Sequence, residues 1–274
     1  MKCKAEPPCA GTNYAVAGAH AFPPDPTDPT DVLAALPTQI AAFLADHALA
    51  APSDALYVMF IGGNDIREAR SAVIRSLLRM ETLPPESIIA AAVSSIDQSI
   101  RALIGAQAKM HSGAKTFLVV KAPNIASLPE TRIIAEELGP LLGPILVLRT
   151  IELTKKFNQQ LAQRLDQIRA EQMDSQVKIK EFNLFHFLEG VRVVGKLLGV
   201  FENIKDACFD SGLYQASGSL EGAFVPPFGH PDCDSGVVNE PPKFDDFVFF
   251  DTIHPTGQVH RIVGKALARK FIDD

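Results

Sequence analysis

The sequence predicts an α/β fold with a parallel β-sheet and helices on both of its faces. Short apolar runs alternate with longer segments in which apolar residues recur every three or four positions. This alternation is typical of parallel sheets, because each pair of parallel strands needs a crossover connection, usually a helix. The chain has 274 residues, of which 47% are hydrophobic and 21% charged. That composition is ordinary for a globular protein with a sizeable core.

Four segments are predicted as strands, at 56–61, 117–120, 177–184 and 247–250. The first two, LYVMFI and FLVV, are continuous apolar runs, as expected for strands that are buried on both faces. A fifth, short strand is predicted at 13–16, leading into a turn of small residues. Since parallel strands end at a common edge of the sheet, polar residues that follow them are candidates for one site.

The predicted helices follow from apolar periodicity. The first begins with Asp31 as its N-cap and continues through Leu44, and the others cover 86–111, about 145–173, the start of 185–200, and 256–272. Residues 201–246 are rich in Pro, Gly and Ser, and we expect one long ordered loop there.

Composition excludes several classes of function. The net charge is −6 and no basic stripe is present, which argues against a nucleic acid partner. The sequence contains no run of about 18 consecutive apolar residues, so we expect no transmembrane helix. The N-terminal residues carry two lysines but no apolar segment before Pro7, so they do not resemble a secretory signal peptide.

The cysteines leave two interpretations open. Cys208 and Cys233 flank the loop-like segment, and a disulfide between them would stabilise the fold by about 3.5 kcal/mol in the chain-entropy model. Such a bond would indicate an extracytoplasmic protein. Alternatively, these two residues, together with Cys3 and Cys9, are free thiols.

Two short motifs carry residues suited to acyl transfer. Asp251 precedes His254 by three residues, so its carboxylate can bind the imidazole ring, fix its tautomer and leave the other nitrogen as a base. Asn64 follows Gly62 and Gly63 at the end of an apolar strand, where its amide can stabilise an oxyanion. The alternative interpretation of the first motif is a helix cap with an exposed histidine, and that of the second is a turn from strand to helix with Asn or Asp as the N-cap.

A third motif, GTNYAVAGA at 11–19, contains Gly18, whose N–H can point at an oxyanion or can belong to a tight turn. In this order, GTNYAVAGA, GGND at 62–65 and DTIHPT at 251–256 resemble the conserved blocks of the GDSL/SGNH esterase-lipases. The sequences KAPN at 121–124 and LGVFENIKDACFD at 198–210 are also similar to that family. The resemblance therefore covers nearly the whole chain.

The resemblance implies a three-layer α/β/α sandwich with a five-stranded parallel sheet. It further implies that His254 is the general base, that Asp251 orients it, and that Gly18 and Asn64 form the oxyanion hole. The substrates it implies are carboxylic acyl or acetyl esters of small molecules, lipids or carbohydrates. Neither a metal nor a cofactor is expected.

One departure from the family pattern concerns the nucleophile. The family serine stands in an N-terminal Gly-Asp-Ser block, and this sequence contains no Gly-Asp-Ser. The strand and helix around that block should precede residue 11, so we expect a single domain, 1–274, that lacks them and is N-terminally truncated. The complete protein is then expected to be secreted or periplasmic.

Two alternatives remain for the missing nucleophile: the chain is a ligand-binding remnant without catalysis, or another residue replaces the serine. Ser53 is a poor substitute because it precedes a predicted strand. A metal site is a further alternative, formed by His230, Asp232, Cys233 and Asp234 with His254, although their spacing matches no zinc pattern.

Overall fold

The computed structural model describes residues 13–23, 25–81, 83–105, 113–209, 233 and 244–272. The chain forms two compact units, which we call unit 1 and unit 2. Unit 1 consists of Met1–Ala122 and Glu152–Asn183, and unit 2 consists of Pro123–Ile151 and Leu184–Asp274. The prediction of one domain stays a prediction, and the units are described separately.

The centre of unit 1 is a parallel sheet. Its strands β1 (Leu56–Phe60), β2 (Thr116–Val120) and β3 (Lys178–Phe182) lie in the order β1-β2-β3. Their last residues are in register, Phe60 opposite Val120 and Val120 opposite Phe182. The segments that follow the three strands therefore begin at the same edge. The mixed α/β fold with parallel strands confirms the predicted fold class.

Four complete helices and part of a fifth belong to unit 1. They are α1 (Pro29–Ala34), α2 (Leu36–Asp46), α3 (Gly63–Leu77), α4 (Pro85–Gly105) and residues 152–171 of α6 (Gly139–Glu171). Their apolar residues form the core around β2, together with Phe117 and Leu118 of that strand.

The outer strand β1 is covered on one face only. Tyr57 and Met59 are buried, whereas Leu56, Val58 and Phe60 on the opposite face are exposed. Among the described residues β1 pairs with β2 alone. An uncovered apolar strand of this kind departs from the usual protection of sheet edges.

Unit 2 contains the remaining elements. They are α5 (Pro129–Glu137), the first part of α6, α7 (Leu184–Leu197), β4 (Asn203–Ala207), β5 (Phe247–Phe249) and α8 (Gly257–Ile272). β4 and β5 pair in parallel as a separate two-stranded sheet. The five described strands thus form two sheets, whereas the family resemblance implies one sheet of five strands.

A disulfide joins Cys208, directly after β4, to Cys233, with the two Cα atoms 5.3 Å apart. Both cysteines are buried against Phe247 of β5. Cys3 and Cys9 lie outside the described residues.

Two predictions about strands are wrong. Residues 13–16 form no strand, because Asn13 accepts a hydrogen bond from the N–H of Ala15 and Tyr14 packs its ring against Phe43 instead of entering the sheet. The segment 201–246, predicted as a loop, contains β4, whose polar sequence NIKDA lacks the run of apolar residues by which strands are predicted.

The predicted helix boundaries also need correction. The first helical segment is divided into α1 and α2 at Ala35, and the N-cap is Asp28, which accepts from the N–H of Thr30, rather than Asp31. Helices α3 and α5 were not predicted. The long helix α6 begins at Gly139, six residues early, and accommodates Pro144.

By length and composition, α4 is the one described helix that could cross a membrane. Half of its most apolar window is buried, and the buried side chains include Ile89, Ile96 and Ile100. A buried core helix can be equally long and apolar, so the length and composition of α4 are weak evidence for a membrane span.

Candidate active site

In unit 2, Asp251 and His254 form a hydrogen-bonded pair. Asp251 Oδ2 lies 2.8 Å from His254 Nδ1, and Asp251 Oδ1 accepts the backbone N–H groups of Ile253 and His254 at 2.8 and 2.6 Å. With Nδ1 protonated toward the carboxylate, Nε2 is the basic nitrogen. The Asp251 side chain is 15% exposed and the His254 side chain is 64% exposed. The arrangement therefore presents a fixed imidazole base to solvent.

Two opposing influences act on the Asp251 carboxyl. Burial alone would raise its pKa, but the hydrogen bonds from the His254 ring and from the backbone of His254 and Ile253 outweigh burial and lower the pKa. The carboxyl is therefore ionised at neutral pH, as a group that orients an imidazole and stabilises its protonated form must be.

The backbone of this loop is anchored on both sides. Phe250 N–H donates to His254 O at 2.8 Å, which closes the turn between them. Buried Thr256 then donates through Oγ1 to Phe247 O of β5 at 2.8 Å, and Glu130 N–H of α5 donates to Thr252 O at 3.0 Å. These contacts hold the pair at the end of β5, where open α/β sheets place their sites.

In unit 1, the structure brings Asn64 to the segment that contains Gly18. Asn64 is in the first turn of α3, and its Nδ2 donates to Ala19 O at 2.9 Å while its Oδ1 accepts from Arg67 at 3.0 Å. Gly18, the residue before Ala19, has φ +75°, a conformation that glycine adopts without strain. An amide nitrogen carries two N–H groups, so Asn64 retains a second donor for an oxyanion.

Two further side chains hold the same segment, and sequence reasoning did not identify them. Asp65 accepts the N–H groups of Ala21 and Phe22 at 2.9 and 3.2 Å, and Ser95 Oγ donates to Ala21 O at 2.6 Å. Burial raises the pKa of Asp65, against the opposing effect of these N–H donors and of His20. In the sequence, only the Asn64-Asp65 pair pointed to these contacts, because the residues that Asp65 binds lie more than 40 positions earlier in the chain.

The turn between β1 and α3 depends on Gly62. Its φ is +107°, and a Cβ added there would overlap the ring of Phe157, which is fully buried. Gly62 thus lets α6 approach the end of β1 closely, and it directs Asn64 toward Ala19. Neither Asn64 nor Asp65 is the N-cap of α3; that position belongs to Gly62.

Gly62→Ala is expected to lower the free energy of unfolding by about 2–4 kcal/mol, from backbone strain and overpacking together. The matched control is Gly63→Ala, since a Cβ there meets nothing within 4 Å. We expect the control to stay within about 0.5 kcal/mol of the parent. Urea unfolding followed by circular dichroism measures both, and equal losses in the two variants would contradict this account.

The chain's similarity to known proteins agrees with these motifs. The family model of GDSL-like Lipase/Acylhydrolase matches residues 5–267. The chain belongs to this family. No curated protein matches it.

Membership of the GDSL-like Lipase/Acylhydrolase family shows the fold and, in general terms, the chemistry of ester hydrolysis. The matched range includes Gly18 and Asn64 of unit 1 and Asp251 and His254 of unit 2. Their roles in this chain stay predictions.

Ser53 lies in the turn before β1, whereas Asn64 follows the opposite end of that strand. The placement gives Ser53 no part in the Asn64 region.

No group of three or more His, Cys, Asp or Glu side chains able to hold a metal ion occurs within the described ranges. His230, Asp232 and Asp234 of the alternative metal site lie outside them. Cys233 is described, and its sulfur is bonded to Cys208 rather than available as a thiolate.

Proposed function

We propose that this chain hydrolyses carboxylic acyl or acetyl esters, with His254 as general base and Asp251 as the residue that orients it. The observation that carries the proposal is the 2.8 Å contact between Asp251 Oδ2 and His254 Nδ1, in which the ring is largely exposed. His254 Nε2 takes the proton of the attacking hydroxyl and returns it to the leaving alcohol. The ionised Asp251 stabilises the imidazolium that forms between these steps.

The oxyanion of the tetrahedral intermediate is assigned to the Gly18 N–H and the Asn64 amide. The bonds from Arg67 and to Ala19 fix the orientation of that amide before substrate binds. Preorganised donors stabilise a developing negative charge better than water does, because they need not reorient during the reaction. No metal is required by this mechanism.

The mechanism requires a hydroxyl group that attacks the ester carbonyl. The sequence lacks the Gly-Asp-Ser block in which the resemblance puts the serine nucleophile. The same general base can act on a serine hydroxyl or on water. The absence of the block also favours a second candidate function, a module that binds an ester or its acid without turnover.

Hydrolysis of p-nitrophenyl acetate, combined with labelling by a fluorophosphonate, tests these candidates. We expect slow hydrolysis that is unchanged by a chelator, shows no burst and is lost in His254→Ala, with no serine labelled. Stoichiometric labelling of one serine would instead identify a nucleophile within this chain. Binding without turnover would favour the second candidate, and turnover that does not need His254 would refute the proposed base.

We also propose an extracytoplasmic location, supported by the buried Cys208–Cys233 disulfide, since such bonds persist in oxidising compartments. Fractionation of the native host tests this, and a cytoplasmic pool with reduced thiols would contradict it.

A further inference from the structure

A cavity of about 360 Å³ lies within unit 1, between the segment 20–23, α3 and the start of α4. Its apolar wall is formed by Phe22, Pro23, Leu83, Ile88 and Ala91. At roughly 30 Å³ for each CH₂-sized group, the space holds about a dozen such groups.

The cavity runs along α3 away from Asn64. Asp65, Glu68 and Arg75 line it from one face of that helix. Ten residues separate Asp65 from Arg75, which corresponds to about 15 Å at 1.5 Å per residue. His20, in the same wall, follows the residue whose carbonyl accepts the Asn64 amide, so the end of the cavity at His20 and Asp65 lies close to the donor assigned to the ester oxygen.

The charged groups in the wall already have partners in the protein. The Asp65 carboxylate binds the N–H groups of Ala21 and Phe22, and Glu68 and Arg75 form an ion pair at 2.7 Å. A long uncharged ligand that lies along this wall therefore covers a carboxylate bound by N–H groups and an ion pair, rather than an isolated charge.

Exposed apolar side chains also line the cavity. Phe22 is 44% exposed and Leu83 is 66% exposed. Large apolar side chains that stay in solvent beside a cavity are typical of a site for an apolar ligand.

We propose that this cavity binds the straight acyl chain of the ester substrate, with Ala91 and Leu83 among the side chains that contact the chain. The inference rests on the proposed function, because it takes Asn64 as the donor to the ester oxygen. It assigns the substrate to esters of medium-chain fatty acids rather than to acetyl esters, whose two carbons leave the cavity empty.

Binding of straight-chain carboxylic acids tests the proposal without turnover. Acetate, butyrate, octanoate and dodecanoate, each below its micelle concentration, compete with a fluorescent fatty acid for the intact chain. Affinity is expected to rise by up to about fourfold for each added CH₂ and to level off when the cavity is full. Affinity that is independent of chain length overturns the proposal.

Ala91→Trp fills the cavity, and Ala90→Trp is its matched control because Ala90 is exposed on the neighbouring position of α4 and is not part of the wall. The first variant is expected to weaken dodecanoate binding at least about tenfold, and the control to leave it unchanged. Equal effects of the two variants would overturn the assignment.

If circular dichroism shows that Ala91→Trp does not fold, Leu83→Gln tests the proposal instead. Its control is Met80→Gln, because Met80 is also exposed but is not part of the wall. We expect Leu83→Gln to weaken dodecanoate binding about threefold or more and Met80→Gln to leave it unchanged. No difference between these two refutes the proposal.

The assay of the proposed function uses p-nitrophenyl acetate, whose short acyl group does not depend on the cavity. If acid binding depends on chain length but hydrolysis does not depend on His254, the proposed activity is refuted and the proposed binding site is supported. Hydrolysis without length-dependent binding would remove the cavity assignment alone.

Discussion

His254→Ala is expected to lower the rate of p-nitrophenyl acetate hydrolysis by about 100-fold or more, the usual contribution of a general base. Asp251→Asn should produce a loss of similar order, since an amide cannot stabilise the imidazolium and favours a different tautomer. Initial rates at saturating and limiting ester separate kcat from kcat/KM. We expect the loss in kcat, because the proton moves in the transition state.

The matched control is His260→Ala, on the exposed surface of α8. Its rate should equal that of the parent. A fall similar to that of His254→Ala would show that histidine replacement in this region acts through folding rather than through the base.

The same pair has an effect on stability that depends on pH. The pKa of Asp251 is lowered in the folded protein, so its contribution is present above the carboxyl's unfolded pKa and is lost as the pH falls through the folded value. The difference in unfolding free energy between the parent and Asp251→Asn should therefore shrink in acid. A difference in unfolding free energy that stays constant down to strongly acidic pH would contradict the lowered pKa of Asp251.

The second large expected effect concerns the disulfide. Replacing Cys208 and Cys233 together with Ser should lower the free energy of unfolding by about 3.5 kcal/mol, from the entropy of the 25-residue separation. The bond also reaches the candidate site, because Cys208 N–H donates to Phe249 O and Phe209 N–H donates to Phe250 O, at 2.9 and 2.8 Å. Hydrolysis is expected to fall along with stability.

Reductant supplies the control for this prediction. It should destabilise the parent to the level of the double variant and leave the double variant unchanged in urea unfolding. Parent and variant with equal midpoints before reduction would show that the disulfide contributes little.

The strands β1 and β2 were predicted within one residue at each end, because each contains a continuous apolar run, and β3 was predicted within two residues. Strand β4 was missed. Its sequence NIKDA has no buried residue, and it is a strand because β5 supplies its hydrogen-bonding partners.

Helix α3 was missed for a related reason. Its sequence is polar on average, and its buried positions include Asp65 and Arg70, which periodicity of apolar residues does not detect. The burial of Asp65 depends on Ala21 and Phe22, more than 40 residues earlier in the chain. A polar residue in a core is predictable only when its partner is known.

The sequence by itself determined the features that depend on near neighbours. Asp251 and His254 are three residues apart, so a single turn brings carboxylate and imidazole together, and the order of the motifs identified the family before any contact was known. Only the tertiary structure decided the long-range features, namely the contact of Asn64 with Ala19, the approach of Phe157 to Gly62 and the cavity beside α3. Such contacts join residues far apart in the chain, and their geometry follows from packing rather than from local preference.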